Sequence, residues 1–195
     1  MKGKPDFYWR KSKDEGYPAR SVFKLQELQE KYRLARPADR ILDLGASPGS
    51  WSLYLLDLPG GTRVTGVDLF PPSLKLLSKK GYAFIRGDFL DPEIVRAIVT
   101  AGPYDVVVSD AAPATTGNRT MDTSRSLEIA KQVLRIAEES LNTGGNLALK
   151  IFQGGEEKQV LDWIRARFAT ARAFKPKASR RESMETYYIG MGYSG

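Results

Sequence analysis

The sequence of 195 residues contains no cysteine and no histidine. Without cysteine it cannot form a disulfide, a thiolate metal site or a cysteine nucleophile, and without histidine it has no imidazole base and no histidine metal ligand. Serine–histidine triads are excluded for the same reason. Any proton transfer by this chain must therefore use lysine, aspartate, glutamate or tyrosine, and we expect no bound metal.

The sequence also lacks an apolar run of the roughly 18–20 residues that a helix needs to cross a bilayer. Its first residues, Met1 to Asp6, lack the apolar segment of a secretory signal. Hydrophobic residues make up 42% of the chain and charged residues 27%, which is typical of globular proteins. These features exclude a disordered, collagen-like or membrane-spanning protein and favour a cytoplasmic protein with no membrane partner.

Basic residues outnumber acidic ones by 30 to 23, and the excess lies at the two ends. Residues 1–40 carry 11 basic and 6 acidic groups, a net charge of +5, and residues 165–195 carry 7 and 2, again +5. Residues 41–164 carry 12 and 15, a net charge of −3. Basic ends around a mildly acidic centre predict that the ends hold a polyanion while the chemistry takes place in the middle.

From residue 40 onward, short apolar runs alternate with segments of helical periodicity, a pattern typical of a parallel sheet with helices on both faces. The predicted strands cover 40–45, 63–69, 83–88, 104–110, 145–152, about 170–176 and 186–193. The predicted helices lie near 50–58, 72–80, 92–101, 123–141 and 155–168, after an amphipathic helix over 21–33. Because no helix separates the last two strands, we expect a seven-stranded, mostly parallel, Rossmann-like α/β sheet with an antiparallel last strand.

This length predicts a single domain over 1–195, with a basic segment and helix over 1–36 and the sheet over 37–195. In a doubly wound sheet, ligands bind beyond the carboxyl ends of the strands. The residues at those ends are unusually polar: they are Asp43 to Gly45, Asp68, Asp88, Asp110 and Lys150. We therefore expect the ligand site at this edge.

The first predicted strand leads into Gly45-Ala46-Ser47-Pro48-Gly49, where glycines allow the backbone to approach a ligand. Asp68 follows Gly45 by 23 residues, the expected place for a carboxylate that accepts both hydroxyls of an adenosine ribose. Asp88 ends the third strand, where a carboxylate can accept the adenine amino group. The alternative is an ordinary strand–helix turn with capping aspartates. Carboxylates at three successive strand ends argue against that alternative.

The glycine loop also discriminates between cofactors. It has the pattern G-x-x-x-G rather than the dinucleotide pattern G-x-G-x-x-G, and no P-loop is present. These absences argue against a nicotinamide-dependent oxidoreductase. The carboxylate-rich centre instead suits the positive charge of S-adenosylmethionine, which we expect as the cofactor.

Lys150 is the first candidate for catalysis because it interrupts an apolar run over 147–152. A buried lysine is costly unless it is paired, and burial tends to lower its pKa. Asp110, at the end of the neighbouring strand, is a candidate partner. The alternatives are that Lys150 ends its strand and reaches water, and that Asp110 is a plain helix-entry aspartate.

Seven segments, in the same order from about residue 8 to 193, resemble the FtsJ/RrmJ family of RNA 2′-O-ribose methyltransferases. They are ARSVFKL at 19–25, DLGASPGSWS at 43–52, VDL at 67–69, GDF at 87–89, SDAAP at 109–113, LALKIFQG at 147–154 and SMETYYIG at 183–190. The resemblance implies a class I methyltransferase fold. The sequence departs from the better-known bacterial members at two places: Ser50 stands where they carry glycine, and ARS at 19–21 stands where they have SRA. Neither place is a tetrad position, so these departures make the choice of substrate less certain than the type of reaction.

The same resemblance implies a catalytic tetrad at Lys24, Asp110, Lys150 and Glu185. It further implies S-adenosylmethionine contacts at Gly49, Trp51, Asp68, Asp88 and Asp110. Gly45 is a further candidate for cofactor contact because it belongs to the glycine loop. Periodicity alone would leave Lys24 as an exposed helix lysine near Glu27, and Glu185 as a surface charge.

We therefore expect 2′-O-methylation of a ribose, in which Lys150 accepts the proton of the 2′-hydroxyl. Asp110 and Lys24 would tune and orient Lys150, and Glu185 would anchor the tetrad. The expected substrate is a uridine of large-subunit ribosomal RNA, free or in an assembled subunit, bound by a monomer. A tRNA anticodon loop is the second candidate and a non-catalytic ribosome-assembly factor the third. Cytosine C5 methylation needs a cysteine, and base N-methylation usually shows Pro-Pro-aromatic where Ala111-Ala112-Pro113 stands.

Two basic clusters precede the outer members of the predicted tetrad. They are Arg10, Lys11, Lys13 and Arg20 before Lys24, and Lys175, Lys177, Arg180 and Arg181 before Glu185. If the tetrad converges, both clusters flank one groove, where phosphate contacts would make RNA binding sensitive to salt. Trp9 and Tyr17 are candidates for stacking on bases.

Overall fold

A twisted sheet of seven strands organises the computed structural model, which describes residues 7–155, 157–180 and 182–195. The strands are β1 (Arg40–Leu44), β2 (Arg63–Asp68), β3 (Tyr82–Arg86), β4 (Tyr104–Ser109), β5 (Leu141–Phe152), β6 (Phe168–Phe174) and β7 (Glu185–Tyr193). Their order across the sheet is β3-β2-β1-β4-β5-β7-β6. Strand β7 runs antiparallel to both of its neighbours while β1 to β5 pair in parallel, which confirms the predicted fold class.

Helices cover both faces of the sheet. They are α1 (Phe7–Asp14), α2 (Val22–Tyr32), α3 (Ser50–Leu56), α4 (Leu74–Leu77), α5 (Pro92–Ala101), α6 (Arg119–Ser140) and α7 (Glu157–Arg167). Side chains alternate along each strand, so Val106 and Val108 pack with α2 and α3 on one face while Val107 packs with α6 on the other. The continuous apolar strands of the sequence follow from this burial on both faces.

Several element boundaries differ from the sequence prediction for local reasons. Helix α4 covers only Leu74–Leu77 instead of 72–80: Pro71 and Pro72 favour extended backbone before it, and Gly81, beyond its end, has φ +88°. Helix α6 begins at Arg119, earlier than predicted, because the Asn118 side chain accepts a hydrogen bond from the backbone N–H of Met121. Strand β5 begins at Leu141, directly after α6, and the pairing with β4 is interrupted before it resumes at Asn146.

Helix α1 was not predicted from the sequence. It packs through the ring of Tyr8 on Phe23 of α2, in a small cluster with Val22 and Ala178. Residues 1–6 and Arg181, which we counted among the basic ends, lie outside the described residues. Within residues 7–155, 157–180 and 182–195, none of the helices is both long and apolar enough to cross a membrane.

Asp43 lies inside β1, in the core beneath the glycine loop, and is only 1% exposed. The Ser52 hydroxyl donates a hydrogen bond of 2.6 Å to its Oδ2, while Oδ1 has no hydrogen-bond partner among the described residues. Burial raises the pKa of Asp43 to about 7, and the negative charges of Asp110 and Asp68 contribute to the rise. The carboxyl group is therefore protonated in the folded protein over much of the acidic range.

Replacing this carboxyl by the neutral amide in Asp43→Asn should remove a pH dependence of stability. The carboxyl of the unfolded chain has a pKa of about 3.9. Between about pH 4 and pH 7 the unfolded state therefore binds fewer protons than the folded state, and the free energy of unfolding of the wild type falls as pH rises. The variant should gain up to about 4 kcal/mol relative to the wild type across that window. Urea unfolding at a series of pH values measures this difference, with the exposed Asp162→Asn as control. A difference that does not change with pH would contradict the burial of this charge.

Candidate functional site

A cleft of about 520 Å³ opens at the carboxyl ends of β1 to β4. Its wall combines carboxylates with apolar and aromatic side chains: it is lined by Gly45, Ser47, Asp68, Leu69, Phe70, Gly87, Asp88, Phe89, Leu90, Asp110, Ala111, Ala112, Pro113, Ala114 and Ile129. Three of the polar strand ends singled out in the sequence thus meet in one cavity, and no lysine or arginine is among the residues that line it.

Two of the cleft carboxylates are fixed by backbone N–H groups. Asp68 accepts hydrogen bonds of 2.9 Å from Ser47 N at Oδ2 and from Phe70 N at Oδ1. Asp88 accepts one of 2.9 Å from Leu90 N at Oδ1. Since a carboxylate oxygen has two lone pairs, these bonds orient the groups and leave each able to accept a hydrogen bond from a ligand.

The glycine loop shapes one wall of the cleft. Gly45 has φ +81°, and a Cβ there would lie 2.8 Å from that of Ala111, so only glycine lets the loop after β1 approach the loop after β4. Gly49 has φ +108° and packs on Leu76 of α4. Trp51 is buried and its indole N–H donates a hydrogen bond of 2.9 Å to Ser21 O. Neither Gly49 nor Trp51 is among the residues that line the cleft.

Two ion pairs lie beside the cleft, on the face of the sheet that carries α2. Lys150 Nζ is 3.0 Å from Asp110 Oδ1, and Lys24 Nζ is 2.6 Å from Glu185 Oε1. All four side chains are at most 17% exposed. The structure therefore brings the four residues of the predicted tetrad together as two buried pairs, and the interpretation of Lys24 and Glu185 as surface charges is wrong.

The register of β5 and β7 explains this convergence. Lys150 is paired with Tyr187 and Phe152 with Glu185, and paired residues of an antiparallel ladder point to the same face. Ser109, which precedes Asp110, is paired with Leu149, so the end of β4 lies beside Lys150. Lys24 reaches the group from α2, which packs on this face through Leu25 and Leu28.

Tyr187 joins the two ion pairs, and we did not select it from the sequence. Its hydroxyl donates a hydrogen bond of 2.5 Å to Asp110 Oδ1, and Lys24 Nζ lies 6.0 Å from its ring centroid. The Trp51 ring packs on it with centroids 5.9 Å apart. One signal could have found it: Tyr187 lies two residues after Glu185 in a strand, and so on the same face.

The charges of the site determine its ionisation. Burial alone would raise the pKa of Asp110, but the ammonium groups of Lys150 and Lys24 and the Tyr187 hydrogen bond outweigh it, so this pKa lies below its usual value. Burial, with the charges of Asp110 and Glu185, raises the pKa of Tyr187 well above its usual value. At neutral pH Asp110 is therefore a carboxylate and Tyr187 a neutral hydrogen-bond donor.

Helix α2 holds the segment before β7 by its backbone, at Lys177 and Ala178. The Glu27 carboxylate accepts hydrogen bonds of 2.8 Å from the backbone N–H groups of Lys177 and Ala178, and the Arg20 guanidinium donates to Ala178 O. Glu27, three residues after Lys24 on α2, thus binds the backbone of this segment. The attachment positions Glu185 at the start of β7, opposite Lys24.

The predicted basic residues lie around this segment and on α1. Lys11 Nζ lies 4.8 Å from the centroid of the Phe23 ring, and Lys13 Nζ 5.9 Å from that of Trp9. Trp9 is 46% exposed, whereas Tyr17 is half-buried beside the α1–α2 cluster. Among the residues that the structure describes, no group of three or more acidic side chains is arranged to hold a metal ion.

Comparison with known proteins agrees with this architecture. Residues 17–193 match the model of the family described as FtsJ-like methyltransferase. A protein of Treponema denticola named "Ribosomal RNA large subunit methyltransferase E" is 47% identical over 98% of this chain and 96% of its own length.

Solved structures also share the fold. A Plasmodium falciparum protein described as a ribosomal RNA methyltransferase superposes with a TM-score of 0.77 at 23% identity, covering 92% of this chain and 100% of that one. Human methyltransferase-like protein 13, in complex with SAH, gives 0.58 at 15% identity over 89% of this chain and 78% of its own. With the fold, the cleft and a family match that spans nearly the whole sequence, the chain belongs to the FtsJ-like methyltransferase family.

Proposed function

We propose that this protein transfers a methyl group from S-adenosylmethionine to the 2′-hydroxyl of a ribose, at a uridine of large-subunit ribosomal RNA. The observation that carries the reaction is the pair of buried lysine–carboxylate contacts beside a carboxylate-lined cleft. The name of the Treponema denticola relative supports the choice of RNA. The basic ends of the chain favour a polyanionic substrate as well.

The cleft suits S-adenosylmethionine by its chemistry. Carboxylates attract the positive charge of this cofactor, and they would repel a pyrophosphate. Asp68 is proposed to accept the ribose hydroxyls and Asp88 the adenine amino group, while Leu69 and Phe70 supply apolar surface for the base. Gly45 leaves space at the wall formed with Ala111. Human methyltransferase-like protein 13, which shares the fold and is in complex with SAH, supports the choice of cofactor.

Gly49 and Trp51 are also predicted to contact the cofactor. We propose that they serve the site by holding neighbouring residues in position. Gly49 directly precedes α3 and packs on α4, next to the loop that carries Phe70. Trp51 supports the ring of Tyr187 and hydrogen-bonds the residue before α2. Both therefore connect the wall of the cleft with the elements that carry the tetrad.

Lys150 is the proposed general base. When bound, S-adenosylmethionine supplies an electrophilic methyl group on a positively charged sulfur. To act as the base, Lys150 releases the proton of its ammonium group to solvent. The free amine then accepts the proton of the ribose 2′-hydroxyl at Nζ, which restores the ion pair with Asp110 Oδ1, at 3.0 Å. A positioned base of this kind contributes about 10²–10⁴-fold to a rate. Lys150 is preferred over Lys24 because its partner Asp110 itself lines the cleft.

The other members hold this arrangement in place. Lys24 keeps the Asp110 carboxylate ionised by its positive charge, and Glu185 anchors Lys24 at 2.6 Å. Tyr187 fixes Asp110 by a hydrogen bond from the opposite strand. Lys24, Glu185 and Tyr187 are thus positioning residues in this proposal, whereas Lys150 touches the reacting hydroxyl.

The first test measures transfer of labelled methyl from S-adenosylmethionine by wild type, Lys150→Ala and the control Lys158→Ala, which alters an exposed lysine on α7. Large-subunit particles lacking the modification, free ribosomal RNA and tRNA are offered separately, and the product is mapped by nuclease digestion and mass spectrometry. We expect a 2′-O-methyluridine in large-subunit RNA, at least about 100-fold slower in Lys150→Ala because the base is lost.

Each other result changes a different part of the proposal. Label on tRNA alone would keep the reaction and overturn the substrate. Label on a base would overturn the ribose chemistry. Cofactor binding without any transfer would favour a non-catalytic assembly factor.

A second test removes a single hydroxyl with Tyr187→Phe. Loss of a hydrogen bond to a charged group corresponds to about a tenfold lower kcat or more, with little change in the KM for RNA. Because that bond lowers the pKa of Asp110, the acid titration of the Asp110 carboxyl, followed by carbon-13 NMR, should move to higher pH. Tyr188→Phe, on the opposite face of the same strand, is the matched control. An unchanged titration of Asp110 would leave Tyr187 as a packing residue only.

A further inference from the structure

Ser50, the first residue of α3, holds a part of the chain that is distant in sequence. Its hydroxyl accepts a hydrogen bond of 2.7 Å from Ala19 N and donates one of 3.1 Å to Ala19 O. The Ser50 side chain is only 2% exposed, so the hydroxyl is shielded from water. Because Ser50 directly follows Gly49, these two bonds attach the glycine loop to the residues that precede α2.

The beginning of α2 depends on this attachment. Ser21, the N-cap residue of α2, makes no capping hydrogen bond with its side chain to any of the described residues. Two side chains of α3 hold this end of the helix instead: Ser50 binds Ala19, and the Trp51 indole N–H donates a hydrogen bond of 2.9 Å to Ser21 O. The position of the first turn of α2 is therefore set by α3.

Lys24 lies in this first turn of α2. Its backbone N–H donates a hydrogen bond of 3.1 Å to Ser21 O, the same oxygen that accepts from Trp51. At the other end of the side chain, Lys24 Nζ pairs with Glu185 at 2.6 Å, and its charge helps to keep Asp110 ionised. A shift of Ser21 would therefore move Lys24 relative to the other members of the tetrad.

The contact between Ser50 and Ala19 also joins the two places at which the sequence departs from the better-known bacterial members of the family. In those members a serine stands at the position of Ala19 and a glycine at that of Ser50, so the hydroxyl of the pair lies on the other partner. The contact through Ser50 is thus a feature of this chain that the family resemblance does not imply.

We propose that Ser50 is a positioning residue for methyl transfer: by holding Ala19 against the start of α3, it fixes the place of Lys24 in the tetrad. Its effect on the rate rests on the proposed function, whereas its effect on the tetrad does not. The glycine loop forms one wall of the cleft, and α2 carries Lys24. Ser50 therefore connects the part of the site proposed to bind the cofactor with the part proposed to act on the ribose.

The first measurement needs no enzymatic activity. In Ser50→Ala the start of α2 loses its attachment, and the Lys24 ammonium should act less strongly on Asp110, whose pKa it lowers. The acid titration of the Asp110 carboxyl, followed by carbon-13 NMR, should therefore move to higher pH in Ser50→Ala. Lys24→Ala, which removes the charge itself, should move the titration further in the same direction.

Ser140→Ala is the matched control. Ser140 is 3% exposed and donates a hydrogen bond of 2.6 Å to Ile136 O at the end of α6, directly before β5 and so at the opposite edge of the sheet. Both variants lose a buried hydroxyl and should lose thermal stability to a similar extent. Ser50→Gly, which removes the same hydroxyl as Ser50→Ala, gives a second measurement. An Asp110 titration that is unchanged in both Ser50 variants, or equally changed in Ser140→Ala, would overturn the proposal.

In an active enzyme the effect should appear in kcat. Ser50→Ala should lower kcat about tenfold, while the KM for RNA and the Kd for S-adenosylmethionine stay within about twofold. Because Ser50 acts through Lys24, adding Ser50→Ala to Lys24→Ala should lower kcat by less than about a further twofold. Effects that multiply in the double variant would mean that Ser50 acts through another group, and would overturn the proposal.

The two measurements separate this inference from the proposed function. If the wild type transfers no methyl group to RNA but Ser50→Ala still moves the Asp110 titration, Ser50 positions the tetrad and the proposed function fails. If the wild type methylates RNA and Ser50→Ala changes neither the titration nor kcat, the role of Ser50 is overturned and the function stands. A changed titration with an unchanged kcat would overturn its role in methyl transfer.

Discussion

The hydrogen-bonded register between β5 and β7 determines where every charged group of the site lies. It sets Lys150 opposite Tyr187 and Phe152 opposite Glu185, so that a base, a hydrogen-bond donor and a carboxylate share one face. A shift of one residue would turn one strand's side chains to the other face and separate them. The antiparallel insertion of β7 between β5 and β6 is therefore the constraint on which the site depends, because a strand added at the sheet edge would not adjoin Lys150.

Charge burial is the cost of this arrangement. Four charged side chains lie at most 17% exposed, and each is within 3.0 Å of an opposite charge. Removing one member of a buried pair typically costs about 3–5 kcal/mol, because the remaining charge loses its partner. Asp43 is a second such cost, since its buried Oδ1 has no hydrogen-bond partner among the described residues. The region around the cleft thus favours function over maximal stability.

Physical patterns in the sequence account for the sheet and for much of the cleft. Apolar runs separated by helical segments predicted the parallel strands, and the rule that ligands bind at carboxyl strand ends selected Asp68, Asp88 and Asp110. All three line the cleft. Lys150 was identifiable because a charge inside an apolar strand requires a partner.

Lys24 and Glu185 could not be found in this way, and only the family resemblance identified them. Lys24 pairs with Glu185, and Glu27 of the same helix binds the backbone at Lys177 and Ala178. Periodicity does not contain such contacts between distant parts of the sequence. Helix α1 was missed for a related reason: most of its surface is polar, and its packing depends on Tyr8 meeting Phe23 of another helix. The early start of β5 reflects the pairing of Leu141 with Tyr104, which the apolar pattern does not show.

The contact of Glu27 with Lys177 and Ala178 has a consequence for how freely this surface of the protein can change. The carboxylate binds two backbone N–H groups, which every residue except proline supplies. The exposed side chain of Lys177 can therefore be exchanged for others while the backbone contact stays the same. Attachment to α2 and the chemistry presented to solvent are thus separate properties here, and this position is a natural place to graft a new side chain without moving Glu185.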